Sequence, residues 1–113
     1  MSVPLLTIPG HMCDERLWSL IEPDLRSSGR EVFHADIAGS SSVPALASAI
    51  LSDAPGTFIP LALSMGGIVA FELVRQDPSR VAALVLSDTN AAPECPERAA
   101  VRREQQAKVR AGK

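Results

Sequence analysis

Apolar residues in this chain come in short unbroken runs, and between the runs they recur at helical spacing. Leu5-Leu6-Thr7-Ile8, closed by Pro9-Gly10, reads as a strand buried on both faces and followed by a loop. Val32 and Phe33 mark a second short strand within residues 31–35, and residues 57–63 form a third apolar run. Residues 81–86, Val-Ala-Ala-Leu-Val-Leu, read as a fourth strand buried on both faces. Helical patterns alternate with these strands. Asp14 and Glu15 place acid at the start of a helix carrying Leu17, Trp18, Leu20 and Ile21, which Pro23 kinks or ends before Gly29 stops the segment. Val43, Leu46, Ala47 and Ile50 stand at i, i+3, i+4 and i+7, with Ser42 placed to cap the helix they define. From Gly66 to Gln76 the pattern is apolar nearly all round, broken only by a narrow stripe of Glu72, Arg75 and Gln76, so that helix should be largely buried until Pro78 ends it. Pro60 cannot donate to a ladder, which predicts a bulge there or a strand that begins after it. Four strands alternating with three helices predict an α/β fold with a parallel sheet and helices on both faces, built through right-handed crossovers.

Composition narrows the function classes. The 113 residues are 46% hydrophobic, enough to bury a core within one domain. A net charge of -2 gives no general attraction to nucleic acid or anionic membranes, and no apolar run is long enough to span a bilayer. The expected partner is therefore a small molecule, with no nucleic acid and no membrane. Met1-Ser2-Val3-Pro4 leads straight into the first strand without the marks of a secretory signal, so a cytoplasmic location is the expectation. Cys13 and Cys95 lack metal-ligand spacing and suit free thiols. From residue 90 the character changes to proline and charge, with six of the eleven basic residues in the stretch 97–113. No aromatic residue is interleaved with them, so this segment reads as a solvated charged helix.

The candidate chemistry lies where the third apolar run breaks, at Leu63-Ser64-Met65-Gly66-Gly67. A strand turning straight into a helix at a single serine holds that hydroxyl exposed above the sheet, and leaves the amide of Met65 at the helix start free to meet an anion. The plain alternative is a serine that caps the helix. Ala62-Leu63-Ser64-Met65-Gly66 resembles the G-x-S-x-G nucleophile elbow of the α/β-hydrolases, especially the small bacterial esterases and lactonases, with Ala62 standing in place of the first glycine. Ile8-Pro9-Gly10-His11 resembles the loop of that family that contributes to the oxyanion hole. The resemblance implies a strand order of 2-1-3-4, Ser64 as catalytic nucleophile, and the backbone N–H groups of His11 and Met65 as oxyanion-hole donors. It implies no cofactor and no metal, a small-molecule acyl substrate, and an ester, lactone or related carbonyl as the target.

The family takes its triad in the order serine, acid, histidine, yet no histidine follows Ser64. The resemblance therefore implies the N-terminal half of a hydrolase core in residues 1–89 and the start of a cap in residues 90–113, truncated before the catalytic histidine. His11 is near enough in sequence topology to be a substitute base, whereas His34 follows a strand two positions away from the serine strand. Asp88, at the end of the fourth strand, occupies a place where some family members carry the triad acid. Cys13 is a further nucleophile candidate, without an evident base beside it. The contrasting expectation is a non-catalytic fragment that acts as an association or binding module, self-associating through an exposed sheet edge.

Overall fold

A computed structural model describes residues 3–54, 56–89 and 95–112. Its centre is a four-stranded parallel sheet of β1 (Leu5–Ile8), β2 (Val32–His34), β3 (Ile59–Leu63) and β4 (Val85–Ser87), in the order β2-β1-β3-β4. That is the 2-1-3-4 order expected from the sequence.

Alternation along β1 and β3 sends successive side chains to opposite faces. Leu6, Ile8 and Ala62 point to the face covered by α2 (Val43–Asp53) and α3 (Met65–Gln76), where they form one core with Leu46, Ala47, Ile50, Phe58, Val69, Ala70 and Leu73. Ser42 caps α2 as its position foretells, accepting a hydrogen bond from the amide of Ala45 at 3.3 Å. On α3 the residues Gly66, Gly67, Val69, Ala70 and Leu73 are buried, in keeping with its apolar circumference. Arg80 closes the far end of α2: its guanidinium donates to the carbonyls of Leu51, Ala54 and Gly56 and lies 5.8 Å from the centre of the Phe58 ring.

The opposite face carries Thr7 and His34, paired in register across β1 and β2, and here α1 (Glu22–Ser27) packs. Pro23 does not end the preceding segment. It starts a helix: a separate 3-10 turn at Glu15–Trp18 comes first, then Pro23 sits in the first turn of α1, where its missing N–H would have had no intrahelical partner. Gly29, at φ +88°, provides the left-handed stop after α1.

Pro60 stands inside β3, fully buried and opposite Leu6 of β1, so the strand does not begin after it. In a parallel strand alternate residues address alternate neighbours. Ile59 donates to Pro4 on the β1 side, while Phe58 and Ser64 bond Arg80, Ala82 and Ser87 on the β4 side. Pro60 shares the parity of Phe58 and Ser64, so its missing donor faces β4. There the chain leaves the ladder between the Phe58–Val81 bridge and the Leu61–Val85 pair, and the irregularity falls on the partner strand.

The fourth strand also departs from expectation. Apart from the isolated bridge at Val81, Val85–Ser87 alone of these residues joins the sheet, and Leu84, Val85 and Leu86 are 37%, 46% and 37% exposed instead of buried on both faces. β4 is one of the sheet's two edges, and among the described residues no strand pairs beyond it. Such an edge presents unpaired backbone groups together with apolar side chains. The final helix, α4 (Pro96–Arg110), buries no residue, as its charged sequence foretells.

One polar group inside the α1 face escaped the sequence reading. Thr7, wholly buried, meets Nδ1 of His34, and Nε2 of the same ring meets the carboxylate of Glu22, which also accepts from Arg26 at 3.1 Å. His34 is thereby engaged on both ring nitrogens and ties α1 to β1 and β2. The hydrogen bond from His34, with that from Arg26, holds the Glu22 carboxyl below the ordinary glutamate value. A depressed folded-state value means that Glu22 contributes stability above the unfolded-chain glutamate value of 4.5, and that this is lost as pH falls through the lower folded value. Urea midpoints followed on the acid side of that value should therefore fall less steeply in Glu22→Gln than in the parent. Identical slopes would assign the acid sensitivity to other carboxylates.

Candidate active site

β1, β3 and β4 end at one side of the molecule, and the loops leaving them meet there. The described residues include three non-glycine positions with positive φ, and each belongs to one of those loops: Met12 at +60°, Ser64 at +53° and Asp88 at +49°. All three line a cleft of about 1380 Å³, together with His11, Met65 and Thr89. A smaller groove of about 320 Å³ runs along α4 between Glu97 and Gln105 and contains none of these groups.

Ser64 is the junction of β3 and α3, with no residue between strand and helix. Its backbone, at φ +53° and ψ −115°, is a conformation that costs a serine about 1–3 kcal/mol and persists only where the surroundings enforce it. The plain reading of Ser64 as a helix cap does not hold, since its side chain makes no capping hydrogen bond. Ser64 is exposed and lines the cleft. Met65 opens α3, whose first amides have no carbonyl partner within the helix.

The glycines explain how the loop after β1 comes beside the serine. A Cβ on Gly66 would lie 2.3 Å from the carbonyl oxygen of Ile8 and 2.8 Å from that of Pro9, so α3 meets the end of β1 at a distance only glycine permits. On the other side, a Cβ on Gly10 would lie 3.7 Å from the Cβ of Ser64, so the Pro9-Gly10-His11 loop runs alongside the elbow. Ala62, in the place where the resembling motif has glycine, is accommodated: its methyl is fully buried in the core beside Ile8.

The remaining candidates fall as follows. His11 is exposed at the cleft without a hydrogen bond to Ser64 among the described residues, and His34 is separated from the serine strand by β1 and held by Thr7 and Glu22. Asp88 lines the cleft, and Ser87 approaches its carboxylate at 3.5 Å. Cys13 and Cys95 are free and exposed, the former at the cleft rim. Among the described residues no group of three or more potential metal ligands gathers, and no helix is long and apolar enough to cross a membrane.

No protein-family model and no curated protein sequence matches the chain. Solved structures do. A thermophilic esterase from Thermogutta terrifontis, in a malate-bound form, superposes with a TM-score of 0.81 at 28% identity, covering 97% of this chain and 45% of that one. An extracellular α/β-hydrolase from a Paenibacillus species superposes with a TM-score of 0.67 at 22% identity, covering 82% of this chain and 43% of that one. The sheet order and these likenesses show the α/β-hydrolase fold. The chain spans a little under half the length of those solved structures.

Proposed function

We propose that this chain carries the nucleophile half of a serine hydrolase acting on an ester, lactone or related carbonyl. The observation that carries the reading is the strained Ser64, held at a strand-to-helix junction that lines the cleft, with no capping hydrogen bond from its side chain to the helix. In this reading Ser64 Oγ attacks the carbonyl carbon, and the amides of His11 and Met65 receive the negative charge that develops on the carbonyl oxygen. Collapse of this intermediate breaks the bond to the leaving alkoxide, which departs as the alcohol carrying the proton given up by Ser64, and water then hydrolyses the acyl-serine to release the acid and restore the hydroxyl. The likeness to an esterase supports this class of small acyl substrate. In this reading neither histidine of the chain takes the serine proton, because His34 is engaged by Thr7 and Glu22 and His11 serves through its amide, while Asp88 at the cleft is the candidate acid.

A fluorophosphonate probe tests this directly. Slow labelling of the folded chain, sustained by the elbow and the oxyanion-hole amides without a base and abolished in Ser64→Ala, is the expected result, and a folded chain that resists the probe would argue against Ser64 as nucleophile. The second reading, a non-catalytic association module, rests on the exposed apolar edge at Leu84, Val85 and Leu86. It requires concentration-dependent self-association, read by sedimentation, that a lysine at Val85 abolishes.

A further inference from the structure

The turn that leaves β4 grips the elbow from both sides. The amide of Ser64 donates to the carbonyl of Ser87 at 2.9 Å, and the hydroxyl of Thr89 donates to the carbonyl of Ser64 at 2.7 Å. The same carbonyl accepts the amide of Gly67 at 2.9 Å. Both polar groups of the strained Ser64 backbone are thus satisfied, one by the last residue of β4 and the other by Thr89 in the turn after it together with Gly67. Thr89 fits tightly there, since a Cβ on Gly67 would fall 2.1 Å from its Oγ1. Gly67, the residue after the motif, is therefore a glycine for a reason separate from Gly66: it makes room for the threonine.

We propose that Thr89 is a positioning residue for Ser64. Its hydroxyl holds the Ser64 carbonyl at the ψ that the elbow requires, and so keeps the serine presented at the cleft. This assignment of purpose rests on the reading of Ser64 as nucleophile, whereas the clamp itself rests on the hydrogen bonds alone. An ordinary packing role would make Thr89 valuable whatever residue occupies position 64. A clamp makes it valuable only while position 64 resists its own conformation. Glycine adopts positive φ without penalty and needs no such restraint.

The test is a double-mutant cycle in the full chain, combining Thr89→Val with Ser64→Gly and read from urea midpoints. The expected result is a fall on Thr89→Val that is at least about twice as large with Ser64 as with Ser64→Gly, and largely restored in Thr89→Ser. Equal falls in the two backgrounds overturn the clamp. A Thr89→Val chain that fails to fold and is not recovered by Ser64→Gly overturns it as well. Fluorophosphonate labelling of the Ser64 chains separates this result from the functional reading. A labelled parent with equal falls sinks the clamp and leaves the nucleophile, and an unlabelled parent with unequal falls does the reverse.

Discussion

Gly66→Ala should destabilise the protein by about 3 kcal/mol or more, at the upper end of what overpacking costs, because both obstacles are backbone atoms that no side-chain rotation can move aside. The added methyl would have to displace the carbonyls of Ile8 and Pro9, one ending β1 and the other opening the loop beside the serine. Relief would require α3 to slide away from the sheet, which pulls Val69, Ala70 and Leu73 out of the core. Urea unfolding of the variant is the measurement, with Gly39→Ala as its control, since nothing lies within 4 Å of a Cβ built at Gly39. An alanine at position 66 that leaves the midpoint unchanged would mean that the helix does not approach the strand as described.

Phe58→Ala is the second large effect, expected at about 3–5 kcal/mol, the range for emptying a fully buried phenylalanine site. Phe58 is 0% exposed in a chain this small, so its removal takes a substantial part of the single core. It also removes the ring on which the Arg80 guanidinium lies, the group that holds the carbonyls at the end of α2. Leucine at the same position should recover most of the loss by refilling volume, though not the contact with Arg80. Equal midpoints for alanine and leucine would show that the cavity does not dominate the cost.

What could be read from the sequence was whatever local rules decide. β1, the Ser42 cap, the buried α3 and the junction at Ser64 each follow from a few neighbouring residues, and the strand order follows from the resemblance those residues support. Pro23 was misjudged because a proline is as well suited to the first turn of a helix as it is ill suited to the interior, and the pattern before it did not show that the helix had yet to begin. Pro60 does not delay its strand, but the ladder is irregular opposite it, because its missing donor faces residues 82–84, where the partner carries one extra residue. Residues 81–86 have the composition of an interior strand, but composition cannot say whether anything packs on either side. The Thr7, His34 and Glu22 cluster and the grip of Thr89 on Ser64 join residues far apart in the chain. No spacing rule points to either.

The close approach of Gly66 to Ile8 bears on the order in which the molecule is made. Its strands pair across long sequence separations, β1 with β3 above all, and such closures are slow because chain entropy is lost before any contact rewards it. During synthesis the first strand emerges early but gains its second neighbour only when residues 59–63 appear, and the elbow then needs β4 and Thr89 before its backbone is held. The cleft should therefore be among the last parts to become ordered, and a chain caught before that point would expose β1 and β3 as open templates for misassembly.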